Sequence, residues 1–136
     1  MKKLLTIALI TLFSYVSFGQ KIAEGSLISV HIMSITLKPD VTIDQYLDFF
    51  QESVIPELEK NFSCRIHLGT GLNREIQNEV GMLWFYKSKE VFNKFWNDDG
   101  SATEAGQAGV DALGGILEEL GELGTFTRYV EDWLIQ

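Results

Sequence analysis

Residues 27–37, LISVHIMSITL, limit the fold more than any other stretch of this 136-residue chain. Nearly all are β-branched or apolar, which reads as a strand. Alternation places Ile28, Val30 and Ile32 on one face and Leu27, His31, Met33 and Ile35 on the other. Both faces are largely apolar, so the strand needs cover on both sides. Lys38-Pro39-Asp40 ends it. Thr42 and Gln45 then have the spacing of a capping box, and Ile43, Tyr46, Leu47, Phe50, Val54 and Leu58 recur at helical spacing. Pro56 lies inside this stripe and predicts a kink or a restart, because its nitrogen cannot donate and its ring crowds the preceding turn.

Residues 63–72 and 79–87 read as the second and third strands, joined by a polar link over 71–78 that suits a hairpin. Ser88 is placed to cap a short helix over 89–97, which NDDGS at 97–101 breaks. Helix resumes near Thr103 and runs to about Leu123. Its expected buried stripe is Ala105, Ala108, Ala112, Leu113, Ile116, Leu117 and Leu120. Gly106, Gly109, Gly114, Gly115 and Gly121 weaken it by roughly 1 kcal/mol each relative to alanine, which predicts close approach to a sheet or a second helix. Gly124 is placed to stop it, and 125–135 form the last strand. The order β-α-β-β-α-β is the ferredoxin-like split βαβ unit. It predicts an α+β domain whose four-stranded antiparallel sheet carries helices on one face.

Lys2 and Lys3, the apolar run Leu4 to Phe13 and the small residues of Ser17-Phe18-Gly19 have the layout of a secretory signal peptide. Residues 1–19 are read as that signal and 20–136 as one domain, secreted or periplasmic. The run is short for a membrane span, so no stable membrane anchor is expected after cleavage. Setting Lys2 and Lys3 aside leaves nine basic residues against 19 acidic ones, a net charge of −10. Such a surface repels nucleic acid and anionic lipid. Cys64 is the only cysteine, so no internal disulfide forms, and a buried, inert thiol is expected.

Strand alternation assigns Ile28, Val30, Ile32, Cys64, Ile66, Leu68, Leu83, Phe85, Phe126, Val130 and Leu134 to the helix-packed face. The opposite face then takes His31, Met33, Ile35, Arg65, His67, Met82, Trp84, Tyr86, Tyr129, Glu131 and Trp133. Large aromatics mixed with a few convergent polar groups describe a small-molecule pocket. His31, His67 and Tyr86 are the candidate catalytic groups, the histidines because they titrate near neutrality. Arg65, Trp84 and Tyr129 are the candidate ligand-binding groups. Arg65 has Glu131 as an internal partner, with a ligand acid as the alternative. His31, His67 and Glu131 lack a diagnostic metal spacing, so no metal and no other cofactor is expected. NDDGSATE at 97–104 fails the EF-hand pattern, because Phe95 stands five residues before Gly100. Phosphate-loop, dinucleotide and nucleophile-elbow motifs do not occur.

ISVHIMSITLKPDVTIDQYLDFF, the later MLWFYKSKEVFNKFW and the closing strand resemble the dimeric α+β barrel superfamily over about 24–135. That group includes NIPSNAP-type, stress-responsive A/B-barrel and antibiotic-biosynthesis monooxygenase-like proteins. The resemblance implies a homodimer with two sheets packed open face to open face, and a cavity in each protomer between sheet and helices or at the barrel mouth. Polyketide-cyclase-like members imply a tyrosine–histidine pair, matched in type by His31 or His67 with Tyr86 or Tyr129. Cofactor-free monooxygenases imply tryptophan and tyrosine around an oxidisable aromatic substrate, matched in type by Trp84 and Tyr86. Haem-degrading members use a histidine on the second helix, and this chain has none between 88 and 123. The expected function is binding of a small hydrophobic or aromatic molecule, with cofactor-independent monooxygenase or cyclase-type activity. The alternative is a non-catalytic dimeric interaction protein whose aromatic sheet face is used up in the interface.

Overall fold

The computed structural model describes residues 22–71 and 79–136. The expected signal segment and most of the expected hairpin link lie outside the described residues. Strand β1 spans Leu27–Leu37, followed by helix α1, Ile43–Phe49, a π-helical turn, Phe50–Val54, and helix α2, Ile55–Phe62. Strands β2, Cys64–Thr70, and β3, Glu79–Tyr86, come next. Helices α3, Lys89–Phe92, α4, Glu104–Ala112, and α5, Gly114–Leu123, lead into β4, Gly124–Leu134. The sheet order is β2-β3-β1-β4, with every pairing antiparallel. This is the ferredoxin-like arrangement expected from the order of elements.

Local chemistry sets the boundaries. Thr42 Oγ1 accepts from the Gln45 N–H at 3.2 Å, while Gln45 Oε1 accepts from the Thr42 N–H at 2.9 Å, a complete capping box. Pro56 produces a restart: the helix widens into the π turn, where Ile55 N–H donates to Phe50 C=O, and Pro56 then sits in the first turn of α2. Phe49, Val54 and Ile55 all keep right-handed helical backbone, so the π turn absorbs the proline's missing donor within one continuous run. The helix expected over 89–97 shrinks to α3, and that expected over 103–123 breaks at Leu113 into α4 and α5. Ala105, Ala108 and Ala112, expected inside, are exposed, and Gly106 and Gly109 face inward instead. The reason is close approach. A Cβ on Gly106 would collide with the Phe95 carbonyl, and one on Gly109 would lie 3.0 Å from the Phe62 ring. Gly114, Gly115 and Gly121 have nothing within 4 Å, so the close approach predicted for all five glycines holds for two.

The register corrects the face assignment in two strands. Leu27, Ser29, His31, Met33 and Ile35 are buried under the helices, opposite Tyr86, Trp84, Met82 and Val80 of β3. The open face of β1 carries Ile28, Val30 and Ile32, and that of β3 carries Leu83 and Phe85. The assigned phases of β1 and β3 were thus one residue out, and such a slip moves every side chain to the other face. Those of β2 and β4 hold: Cys64 and Ile66 are buried, while Arg65, His67, Tyr129 and Trp133 are on the open face. The core therefore lies between β1–β3 and the helices, around Tyr46, Phe50, Phe62, Met33, Trp84 and Tyr86. Strand β4 is different. From Thr125 to Leu134 it is exposed on both faces.

Candidate functional site

The face correction divides the six candidate residues between two sides of the sheet. His31, Trp84 and Tyr86 lie under the helices, while His67, Arg65 and Tyr129 lie on the open side. His31 and His67 share neither a face nor adjacent strands, because β3 runs between β1 and β2. Their expected joint action is therefore ruled out geometrically. Arg65 does not meet Glu131, since β2 and β4 are opposite edges of the sheet. Its guanidinium instead reaches Glu59 Oε2 at 3.3 Å, and Glu59 Oε1 also accepts from the Ile66 N–H at 2.8 Å. Glu131 accepts from the Tyr129 hydroxyl. His67 sits edge-on to Phe85, with ring centroids 5.4 Å apart. Arg65 is thus paired with Glu59 and Tyr129 with Glu131, while Arg65 and His67 border an open surface groove with Lys60 and Phe85.

The three residues under the helices do converge. A partly open cavity of about 290 Å³ lies between the helix side of the sheet and the α3–α4 loop. Its floor is Ser29, His31, Trp84 and Tyr86, and its far wall is Phe92 and Trp96. Its rim is Asp98, Asp99 and Gly100 on one side and Arg128, Val130 and Asp132 of β4 on the other. The loop is held in place locally: Asn97 N–H donates to Ser101 C=O at 2.8 Å, and Asp99 accepts from the Ser101 N–H at 2.9 Å. Arg128, Val130 and Asp132 share the helix-side face because each pairs in register with a buried residue of β1: Met33, His31 and Ser29.

His31 is 6% exposed, and its ring stacks on Trp84 at 4.7 Å with an interplanar angle of 5°. Its Nε2 is 2.9 Å from Ser29 Oγ. Burial, helped by the Arg128 charge, lowers its pKa to about 4, so the imidazole is neutral at physiological pH. Its Nδ1 and the Trp84 Nε1 are both buried without a hydrogen-bond partner among the described residues. Buried polar atoms normally find partners; the Tyr46 hydroxyl is a third such atom and does not line the cavity. Tyr86 accepts from Trp96 Nε1–H at 3.1 Å, which ties the cavity wall to its floor, and burial raises its pKa well above the ordinary tyrosine range. Burial likewise pushes the Cys64 thiol up to about 12. Among the described residues no group of three or more metal-ligating side chains forms.

Sequence reasoning missed Ser29, Trp96, Arg128 and Asp132. The signal for Arg128 and Asp132 was weak, since a polar residue on an edge strand ordinarily faces water. The phases of β1 and β3 were better marked. Ser34 and Thr36 share a face with Ile32, and Glu79 and Gly81 share one with Leu83, so alternation carried to the strand ends identifies the wetter side.

No family model matches the chain, and no curated protein is significantly similar to it. Solved structures do resemble it. One is a dimeric ferredoxin-like protein from an uncultured marine organism, 16% identical with a TM-score of 0.53, covering 86% of this chain and 93% of that one. Another is a dimeric protein of unknown function and ferredoxin-like fold from Bacteroides fragilis, 18% identical with a TM-score of 0.41, covering 79% of this chain and 96% of that one. At 16% identity the likeness to the marine protein is one of fold, and the fold is ferredoxin-like.

Proposed function

We propose that the chain is an exported, homodimeric small-molecule-binding protein of the α+β barrel kind, with one ligand cavity per protomer between sheet and helices. The observation that carries this reading is the cavity over His31 and Trp84, two deeply buried residues that each keep one ring nitrogen without a partner among the described residues. The dimer part rests on the open face. Ile28, Val30, Ile32, Leu83 and Phe85 lie there with Tyr129 and Trp133, which are 61% and 57% exposed. Contiguous apolar surface of this kind marks an interaction site, and the marine protein of the same fold is described as dimeric. Cavity and open face are on opposite sides of the sheet, so a dimer formed through the open face leaves the cavity free. Export rests on the signal-like layout of residues 1–19.

Binding, rather than oxygenase or cyclase turnover, is the function that the site supports best. Acid–base work at neutral pH asks for a group poised near 7. His31 is held well below that, and no second histidine faces it. A fragment screen by protein-observed NMR tests the reading: hits should perturb His31 and Trp84, and Val130→Trp, which fills the cavity from its exposed rim, should abolish them. Hits that ignore the plug, or a screen without hits, would overturn it. Light scattering tests the dimer, because a stable folded monomer at micromolar concentration is incompatible with an obligate open-face interface.

A further inference from the structure

We infer that the cavity takes a small organic acid, its carboxylate gripped by Arg128 at the β4 rim; the assignment rests on the cavity reading above. The charged groups around the cavity are not equally available. Asp98 lies 3.7 Å from Lys89 Nζ, and Asp99 accepts from both the Ser101 N–H and its hydroxyl. Both belong to the solvated loop. Arg128 has no ion pair or side-chain hydrogen bond among the described residues, although it lies close enough to His31 for its charge to oppose protonation of the ring. Asp132 does not neutralise it. The two stand four residues apart along an extended strand, roughly 13 Å between Cα atoms, and no ion pair joins them.

The guanidinium itself favours an acid. It repels an ammonium group, whereas a carboxylate offers several lone pairs and fits the planar guanidinium fork in two-point fashion. Neutral His31 carries no charge to compete with Arg128 for the ligand. The volume of about 290 Å³ lies at the small end of ligand pockets, which limits the acid to a compact body set against Val130, Phe92 and Trp96.

Benzoate, benzamide and benzylamine are probes of one size and three charges. Their dissociation constants would be measured by NMR titration on the whole dimeric protein at pH 7 and low salt. Benzoate should bind at least about tenfold more tightly than benzamide, the scale of one charge-assisted contact. Arg128→Gln should bring the two within about threefold, and Arg65→Gln, on the other face, should leave the preference intact. Benzamide binding as tightly as benzoate, benzylamine binding tightest, or a benzoate preference that survives Arg128→Gln would each overturn the acid assignment while leaving the cavity reading standing. If none of the three binds, both fall together.

Discussion

The pH dependence of stability is where the burial of His31 should show most directly. A histidine in the unfolded chain titrates near 6.5, whereas burial and then Arg128 lower that of the folded protein to about 4. The folded state therefore resists a proton that the unfolded state accepts. The resulting stability is fully present above pH 6.5 and is lost as pH falls toward 4. Integrating proton binding over the two pKa values gives a loss of about 2 kcal/mol between pH 7 and pH 5 from this one group. The assay is urea unfolding at pH 7 and pH 5, at one fixed protein concentration because a dimer's stability depends on it. His31→Phe serves as reference, since it retains a ring against Trp84 but cannot titrate. It also loses the contact to Ser29, a cost that is the same at both pH values and drops out of the comparison. The wild type should lose about 2 kcal/mol more than the variant on going from pH 7 to pH 5. His67 is exposed and present in both, so it cancels. Equal losses, or a larger loss in the variant, would refute the claim that the fold holds His31 neutral.

Three further outcomes follow from particular contacts. Gly106→Ala should destabilise by about 1–3 kcal/mol, because its Cβ meets the rigid Phe95 carbonyl, whereas Gly121→Ala should stabilise by about 0.5–1 kcal/mol in open space; thermal unfolding of both checks the contrast. Cys64, buried and with its pKa raised to about 12, should react with a thiol reagent at pH 8 only after denaturation, so prompt labelling of the native protein would contradict its placement. Exported protein should begin at Gln20, and mass spectrometry showing Met1 to Gly19 still attached would exclude the signal reading.

What was legible in the amino-acid sequence was local. The capping box at Thr42 and Gln45, the interruption at Pro56, the cap at Ser88 and the order of strands and helices rest on interactions between residues a few positions apart. Such interactions are written in the chain itself, and together they determined the ferredoxin-like class. The burial of Cys64 and Ile66 and the placement of Arg65 and His67 on the opposite face also followed, because β2 alternates cleanly between apolar and polar. Which side of β1 faces the helices is marked only at its end, by Ser34 and Thr36; for its central residues the tertiary structure decided. Ile28-Val30-Ile32 and Leu27-His31-Met33 are both apolar enough for a core, so transfer free energy barely distinguishes them, and one residue of phase reverses the answer. Pairing Ser29 with Trp84 and Leu27 with Tyr86 placed the bulkiest side chains beneath the helices, where there is volume to fill, and left the β-branched set on the open face. That choice separated His31 from His67 and seated it on Trp84. It also brought Arg128 and Asp132, about a hundred residues further along the chain, to the rim of the same cavity. No spacing in the sequence encodes that meeting, because it is set by the β1–β4 register and not by any contact within a single element.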